Sequence, residues 1–481
     1  MLRDWSDISP DAAFRLADAL TGIVCFGGTG SGKTSGPAKH VAHAYLKNDF
    51  GGLVLCAKPE ERKQWVKWAA DNDRSDDLII VNAGGEKRFN FLDWEASHAG
   101  EGGGLTLNIV ALLDEIAGAI AGGAGKAADG GDNKFFEDAL HHMLTNLVDL
   151  PLFAKLPVSL PLLRAIINTA PMSAAEANSL TWKEGGGQCA AILREADEAT
   201  LNKNQDARAD FEECRAYWTQ EFPNLSEKTR SIITLSLSML VRPFITRPLR
   251  RLFSSDTNVR PEDCFDGKII IIDLPVQQFK LAGRVAALTW KYCFQISVLR
   301  RTPPPEGSYH LPVFLWWDEG QNFLTKFDTE WHAVARSAGG CSVLLVQTRE
   351  ALRSVLGNND AVDALLANLQ CKFFCQNSSI DTNEYASKLL GERYLKIASE
   401  TANTSHGQSG VGGSMGTSYS EQKRHFVEAA EFTTLLRGGP RNEYCVEAIV
   451  YNGGEQFRRY GDPAGLHGTL PYTLLRFTQR K

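Results

Sequence analysis

Seven short apolar runs, each bounded by glycine or by polar residues, dominate the hydrophobic pattern of this chain. They are "IVCF", "GGLVLC", "DLIIVN", "KIIIID", "VFLWWD", "SVLLVQ" and "CKFFCQ". Short continuous apolar runs of this kind are typical of parallel strands that are covered on both faces. We therefore predict an α/β protein with a mainly parallel central sheet.

The strand pattern stops between the third and the fourth of these runs. From about residue 93 to 257, apolar residues recur at the spacing of a helix, as in "KFFEDALHHMLTNLVDL". Glycine-rich segments such as "EGGGQ" separate the helical stretches. We predict that an all-α segment is inserted into the sheet domain, which is then discontinuous along the chain.

A loop rich in glycine follows the first strand and leads into a predicted helix. It fits the pattern G-x-x-x-x-G-K-[ST] of phosphate-binding loops. The alternative is a glycine-rich turn in which the residues "GKT" occur by chance. Glycines let backbone N–H groups approach phosphate oxygens, and the helix directs its positive end at the same oxygens. We expect ATP to be bound by Gly27, Gly28, Thr29, Gly30, Ser31, Gly32, Lys33, Thr34 and Ser35.

Within this loop, Lys33 is expected to reach the β- and γ-phosphates and Thr34 to ligate Mg²⁺. The chain then divides into four predicted parts. They are a nucleotide-binding domain, first part (1–92), an all-α insertion domain (93–257), a nucleotide-binding domain, second part (258–465), and a C-terminal tail (466–481).

Two adjacent carboxylates end the fifth apolar run, where a parallel sheet binds its ligands. Asp318 is expected to hold Mg²⁺ and Glu319 to polarise the attacking water. Asp273 also ends a strand, but Leu274 follows it and supplies no base, so we prefer Asp318. The alternative is that both carboxylates only begin a helix, where acidic residues are favoured.

Two further polar residues are candidates for the same chemistry. Gln347 ends the sixth apolar run and can contact the γ-phosphate, or it is an ordinary strand terminus. Arg336 lies on a helix-like segment between the fifth and sixth runs. It can act as an arginine finger on a neighbouring subunit's nucleotide, or it is a solvated helix arginine.

A cluster of basic residues lies near the end of the predicted insertion. From Lys228 to Phe253 there are six basic residues and no acidic one. A local excess of this kind is what a groove along a phosphate backbone needs. We expect Arg247, Arg250 and Arg251 to contact DNA with little sequence preference, with a solvated helix face as the alternative.

Bulk composition limits the class of protein. The 481 residues carry a net charge of −6, which argues against a wholly basic nucleic-acid coat. No stretch approaches the roughly 20 apolar residues of a membrane helix. The 10 cysteines include no paired C-x-x-C and are expected to be buried in a reducing cytoplasm.

Residues 405–420, rich in glycine and serine, are predicted to form a surface loop.

An ordered series of motifs resembles the type IV secretion coupling proteins, the TraD/TraG-like group of DNA-pumping ATPases. The resemblance spans roughly residues 20 to 455. Its motifs are "GGTGSGKTSG", "VLCAKPEER", "FNFLDW", "DNKFFEDAL", "LSEKTRSIIT", "DEGQNF", "LLVQT", "LLANLQCKFFCQNSSIDTNEYASKLLGE" and "KRHFVEAAEFTTL". The phosphate loop alone is unspecific, whereas this order with a helical insertion between the same two strands is much more specific.

The resemblance implies a RecA-like P-loop motor with an all-α inserted domain. Such motors form hexameric rings that move DNA with ATP and Mg²⁺. Carried onto this sequence, the resemblance assigns Lys33 and Thr34 to the phosphate loop and Asp318 and Glu319 to the metal and base positions. Gln347 matches the polar strand end, and Arg336 lies where a trans-acting arginine is expected.

One departure from the family leaves alternatives open. Family members usually carry membrane helices ahead of the motor, and we expect none here. The leading hypothesis is a cytoplasmic motor of conjugative DNA transfer, recruited to the inner membrane by a partner such as a relaxase or secretion-system protein. The alternatives are a soluble HerA/FtsK-like ATPase in DNA processing or anti-phage defence, or a nucleotide-dependent assembly scaffold.

Overall fold

A nine-stranded sheet organises the part of the chain that the structure describes. The computed structural model describes residues 14–98, 104–120, 131–201, 203, 205–254, 256–306, 308–407, 410–458 and 468–479. Its strands are β1 (Ile23–Phe26), β2 (Gly51–Leu55), β3 (Leu78–Asn82), β4 (Ile269–Asp273), β5 (Val313–Trp317), β6 (Gly340–Val346), β7 (Cys371–Cys375), β8 (Glu392–Gly407), β9 (Gly410–His425), β10 (Cys445–Asn452), β11 (Phe457–Arg458), β12 (Thr469–Leu470) and β13 (Thr473–Thr478).

The strands of the large sheet lie in the order β13-β10-β7-β1-β6-β5-β2-β4-β3. All neighbouring pairs from β7 to β3 are parallel. β10 runs antiparallel to β7, and β13 runs antiparallel to β10. The predicted α/β fold with a mainly parallel central sheet is therefore confirmed, and the seven apolar runs of the sequence form β1 to β7.

Alternate residues of the central strands enter two different hydrophobic clusters. Val24 and Phe26 of β1 belong to one cluster, and Ile23 and Cys25 belong to the other. Because successive strand residues point to opposite faces, the two clusters lie on the two sides of the sheet. Every residue of β1, β2, β5, β6 and β7 is buried, which explains why these strands are apolar apart from Ser342 in β6 and Lys372 in β7.

Helices cover the sheet and form the segment between β3 and β4. The described helices are α1 (Leu16–Ala19), α2 (Lys39–Lys47), α3 (Pro59–Ala70), α4 (Phe91–Ala96), α5 (Thr106–Ile120), α6 (Gly131–Phe153), α7 (Leu160–Asn168), α8 (Ala174–Asn178), α9 (Leu180–Gly185), α10 (Gly187–Thr200), α11 (Gln205–Ala216), α12 (Phe222–Asn224), α13 (Glu227–Ile245), α14 (Leu249–Phe253), α15 (Val276–Leu299), α16 (Phe327–Val334), α17 (Arg349–Leu356), α18 (Asn359–Asn368) and α19 (Ile380–Leu390).

The regular elements described between β3 and β4 are all helical, from α4 to α14. Leu113 of α5, Leu147 of α6 and Ile166 of α7 are buried in the same hydrophobic cluster as Leu288 of α15. α15 is the helix that follows β4, so the inserted helices join the core on one face of the sheet. The division into domains stays a prediction.

The glycine- and serine-rich segment 405–420 differs from the predicted loop. β8 and β9 form a two-stranded antiparallel ribbon whose pairs run from Glu392 with His425 to Gly407 with Gly410. The turn residues 408–409 lie outside the described residues. Backbone hydrogen bonds between paired strands need no apolar side chains, so composition alone gave the wrong prediction for this segment.

The segment predicted as a C-terminal tail contributes an edge strand of the large sheet. In β13, Leu475 and Phe477 are buried in the core, whereas Leu474 and Arg476 are exposed. This alternation with a period of two is typical of a strand that covers the core with one face only. The described part of this segment therefore belongs to the large sheet, and the predicted boundary at residue 466 stays a prediction.

Within the described ranges, none of the helices combines the length and the apolar character that crossing a membrane requires.

Candidate nucleotide site at the carboxyl edge of the sheet

The glycine-rich loop lies between the ends of β6 and β7. The N–H of Gly27 donates to the carbonyl of Val346 at 3.2 Å, and the N–H of Gly28 donates to the carbonyl of Gln376 at 2.9 Å. Gly32 has a φ of 83°, and a Cβ there would lie 2.5 Å from a methyl group of Val446. Glycine is therefore required at this position by both conformation and space.

One buried polar atom in the loop has no partner among the described residues. The Ser31 side chain is buried, and its hydroxyl makes no hydrogen bond. A Cβ on Gly27 would collide with that hydroxyl. Thr34–Ala38 form a wide helical turn that continues into α2, so a helix N terminus faces the loop. The loop has the features of a phosphate cradle.

A hydrogen bond joins the loop to the end of β5. The Thr34 hydroxyl donates to Asp318 Oδ2 at 2.7 Å. Asp318 follows the last residue of β5, and its other oxygen accepts from the N–H of Glu319 at 2.8 Å. A hydroxyl beside a carboxylate supplies oxygen ligands of the kind that Mg²⁺ prefers. The structure thus brings together the two residues that the sequence suggested for the metal.

The competing carboxylate lies farther along the sheet edge. Asp273 ends β4, which is separated from β5 by β2. Its carboxylate accepts from Arg62 Nη1 at 3.2 Å. Asp273 is therefore engaged with a residue of α3, whereas Asp318 contacts the glycine-rich loop.

Glu319 lies in a group of hydrogen-bond donors that occupies both of its oxygens. Lys58 Nζ lies 2.6 Å from Oε1, and Lys33 Nζ lies 3.7 Å from the same atom. Gln321 and Gln347 donate to Oε2 at 3.1 and 3.2 Å. The Glu319 backbone has a φ of 51°, an uncommon conformation for a residue other than glycine.

These donors set the protonation state of Glu319. Burial alone would raise the pKa of this carboxyl, but the hydrogen bond from Lys58 and the charge of Lys33 outweigh it. The result is a pKa of about 2, so Glu319 is ionised at neutral pH.

Gln347 connects Glu319 to the loop. It follows β6, whose last residue, Val346, pairs with Phe26 of β1. Its Oε1 accepts from the Thr29 hydroxyl at 3.4 Å, while its Nε2 donates to Glu319. The predicted strand-end amide therefore lies between the glycine-rich loop and the predicted base.

A cavity of about 500 Å³ opens beside Glu319. Its walls come from segments that follow β1, β2, β4, β5 and β6, all at the carboxyl edge of the sheet. The lining includes Thr29, Lys58, Gln277, Glu319 and Gln347. Glu319 therefore lies in the wall of an opening at this edge of the sheet.

Two charged residues of this edge were missed by the sequence analysis. Lys58 and Glu61 belong to "AKPEER", a segment that served only as a family motif. Glu61 Oε2 accepts from the N–H of Ala57 at 2.8 Å, and Oε1 has no partner among the described residues although it is buried. Their position directly after a buried strand was the signal that could have identified them.

Arg336 lies at the other edge of the sheet from the glycine-rich loop. It is exposed in a short 3₁₀ turn, Ala335–Ala338, just before β6 begins. β6 is parallel to β1, so its start and the loop after β1 lie at opposite edges. Within one chain the structure does not bring Arg336 to the other candidate residues.

The basic cluster lies on the inserted helices and outside the candidate site. All three arginines predicted to contact DNA are exposed: Arg247 lies between α13 and α14, and Arg250 and Arg251 lie on α14. Arg230 differs from them, because its guanidinium donates to the carbonyl of Pro223 at 3.1 Å and covers the end of α12. Its role is structural, whereas the side chains of Arg247, Arg250 and Arg251 are exposed to solvent.

The chain is similar in sequence to one protein-family model and similar in fold to several solved structures. Residues 312–437 match the family model described as the TraM recognition site of TraD and TraG. The sequence matches none of the curated proteins. The matched segment includes β5 to β9 and thus Asp318, Glu319 and Gln347.

The solved structures with a similar fold include the bacterial conjugative coupling protein TrwBdeltaN70 in an unbound form. The TM-score is 0.58 at 15% identity, over 99% of this chain and 88% of that chain. TrwB in complex with the ATP analogue ADPNP gives 0.58 at 14% identity, over 99% and 90%. TrwB in complex with ADP and Mg²⁺ gives 0.57 at 15% identity, over 99% and 89%.

These likenesses define the class of fold as RecA-like, with the glycine-rich loop at the carboxyl edge of its sheet. The resemblance to TraD/TraG-like coupling proteins is confirmed by the family model and by the fold of TrwB.

Glu61 predicts a pH dependence of stability. Burial and the negative charge of Asp318 raise the pKa of Glu61 to about 8 from 4.5. The folded protein therefore binds this proton more tightly than the unfolded chain. The stabilisation is complete below the unfolded pKa and is lost as the pH rises through about 8.

We expect the melting temperature of the nucleotide-free protein, measured in a chelator, to fall less steeply between about pH 5 and 9 in Glu61→Gln than in the wild type. The exposed neighbour Glu60 supplies the control, and Glu60→Gln should retain the wild-type slope. Equal slopes in all three proteins would contradict the assigned pKa.

Proposed function

We propose that this protein hydrolyses ATP at the carboxyl edge of its sheet and uses the reaction to move or recruit DNA in conjugative transfer. The contact between Thr34 and Asp318, with Glu319 beside it, is the observation that carries the proposal. It supports the proposal because the residues that we assign to phosphate, to Mg²⁺ and to the attacking water lie within one group of side chains.

The residues present fit ATP and Mg²⁺. The buried Ser31 hydroxyl without a partner and the glycine-rich loop suit phosphate oxygens. Lys33 would pair with the phosphates, and Thr34 and Asp318 would hold Mg²⁺, which neutralises negative charge on the phosphates when bound. TrwB, which has a similar fold, has been solved with ADPNP and with ADP and Mg²⁺.

Glu319 is the residue that we assign to the attacking water. Its carboxylate is ionised and lines an open cavity, from which a water molecule can bind it when one of its hydrogen-bond donors moves away. Gln347 contacts both Glu319 and Thr29, so a change in the conformation of the glycine-rich loop would also change its contact with Glu319. Orienting water is the main task of the protein in this class of reaction, because positioning and electrostatics supply most of the catalysis.

The assignment to DNA transfer rests on similarity and on charge. The family model concerns the TraM recognition site of TraD and TraG, and TrwB is a conjugative coupling protein. The exposed arginines on α13 and α14 offer a surface for phosphates. We propose that DNA is bound with little sequence preference.

Assembly and location belong to the same proposal. We infer a homo-hexamer in which Arg336 of one subunit faces the nucleotide of the next, consistent with its exposed position away from its own loop. A relaxosome or secretion-system protein would recruit the motor to the inner membrane. The segment 312–437, which matches the TraM recognition model, is the candidate contact for such a partner.

The assigned roles predict different defects in two variants. Glu319→Gln should bind Mg²⁺ and ATP but lose turnover by about 100-fold or more, because the base that orients water is gone. Lys33→Ala should instead weaken nucleotide binding itself. Steady-state ATPase kinetics and the affinity for a fluorescent ATP analogue separate these effects.

The exposed Glu330 on α16 provides a matched control for this pair, and Glu330→Gln should keep the wild-type rate. Full hydrolysis by Glu319→Gln would remove the assignment of the base.

The basic cluster predicts a salt dependence. Each neutralised phosphate contributes about 0.9 to the log–log slope of affinity against salt for duplex DNA, and about 0.7 for single strands. Replacing Arg247, Arg250 and Arg251 by alanine should therefore flatten the slope by roughly 2 to 3 and lower DNA-stimulated ATPase, while basal ATPase survives. The measurement is the affinity for one oligonucleotide at four salt concentrations.

Three other exposed cations of the inserted helices and their loops, at Lys155, Arg164 and Lys183, provide the control. Their triple alanine variant should keep the wild-type slope. Parallel slopes for the wild type and the arginine variant would show that these arginines do not contact phosphates.

A further inference from the structure

The strongest contact that Glu319 makes is with a residue outside the glycine-rich loop. Lys58 Nζ lies 2.6 Å from Glu319 Oε1, nearer than Lys33 at 3.7 Å. Lys58 is positioned by the end of β2 and by Pro59, the first residue of α3. It reaches Glu319 because β2 and β5 are parallel neighbours and end at the same edge.

We propose that Lys58 is a positioning residue that holds Glu319 away from water while no nucleotide is bound. The proposal rests on the proposed ATPase function and adds a restraint on its base. Both Glu319 oxygens accept hydrogen bonds in the structure, Oε1 from Lys58 and Oε2 from Gln321 and Gln347. Gln347 also donates to Oε1 at 3.4 Å, so four contacts fill the roughly four acceptor positions that a carboxylate offers. A water molecule must therefore displace one of these donors to bind Glu319.

The three donors differ in strength. The Lys58 bond is short and joins two charges, and charge-assisted hydrogen bonds are about twice as strong as neutral ones. The two glutamine contacts are neutral donors at longer distances, 3.1 and 3.2 Å. Lys58 therefore restrains Glu319 more strongly than either amide does.

The surroundings of Lys58 allow the restraint to be released. Its side chain is 36% exposed, whereas that of Glu319 is only 9% exposed. Lys58 lines the cavity of about 500 Å³ beside Glu319, so its ammonium can swing into solvent without moving the backbone. Glu319 is buried, whereas the Lys58 side chain that restrains it is long, flexible and partly exposed.

This role differs from that of a phosphate-binding lysine. Lys33 belongs to the glycine-rich loop, is almost fully buried, and reaches Glu319 only at 3.7 Å. Lys58 follows β2 and is joined to Glu319 directly. Removing Lys58 should therefore free the base and leave the phosphate cradle intact.

The experiment compares Lys58→Met, Lys58→Arg and the control Lys63→Met, which removes an exposed charge from the same helix. We expect Lys58→Met to raise the DNA-independent kcat about fivefold or more, with an unchanged affinity for a fluorescent ATP analogue. Lys58→Arg keeps the charge and should stay near the wild-type rate, as should Lys63→Met.

A second readout needs neither nucleotide nor activity. Melting temperatures of the nucleotide-free wild type, Lys58→Met, Glu319→Gln and the double variant form a double-mutant cycle. We expect the two single changes to be non-additive, because each removes the same ion pair. Additive shifts would show that the pair is not formed in solution and would overturn the proposal.

The kinetic outcomes separate this inference from the proposed function. A wild type that hydrolyses ATP, with Lys58→Met equal to it or slower, would overturn the restraint and leave the ATPase proposal standing. Slower turnover together with weaker ATP binding would make Lys58 a nucleotide ligand instead. A wild type that binds ATP but never hydrolyses it would overturn both proposals.

Discussion

The parallel register of four neighbouring strands is the constraint on which the candidate site depends. Phe26 of β1 lies beside Val346 of β6, and Trp317 of β5 lies beside Leu344 of β6 and Leu55 of β2. The residues that follow these strands must therefore meet at one edge of the sheet. A slip of one residue would turn every side chain of a strand to the opposite face and separate the group.

This register brings together charges that are far apart in sequence. Thr34 and Asp318 are 284 residues apart and form a hydrogen bond of 2.7 Å. Glu319 is balanced by Lys33 and Lys58, and Glu61 lies buried nearby with a pKa raised to about 8. The edge thus combines an ionised carboxylate, Glu319, with a carboxyl, Glu61, that is mainly protonated at neutral pH. Titratable groups with shifted pKa values cluster at functional sites, and the two buried faces of the sheet hold these residues in place.

The fold was predictable from sequence where the physical signal is local. The continuous apolar runs identified β1 to β7, because a strand that is buried on both faces needs apolar residues throughout. The ribbon of β8 and β9 and the edge strand β13 were missed. The ribbon is rich in glycine and serine, and β13 is a short strand in which only Leu475 and Phe477 are buried. Backbone pairing between strands leaves little trace in composition.

The candidate site was predictable only where its residues belong to a local sequence pattern. A motif marked Lys33 and Thr34, and the carboxylates at the end of an apolar run marked Asp318 and Glu319, before any geometry was known. Lys58 was missed, because its importance comes from the pairing of β2 with β5, which no local pattern encodes. The functional roles of all these residues stay predictions.

The most direct test of the account is the rate of ATP hydrolysis by the wild-type protein, with and without Mg²⁺ and with single-stranded or double-stranded DNA of unrelated sequences. The account predicts hydrolysis that requires Mg²⁺ and rises when DNA is added, whatever its sequence. ATP binding without hydrolysis under every condition would contradict it and would favour a nucleotide-dependent scaffold.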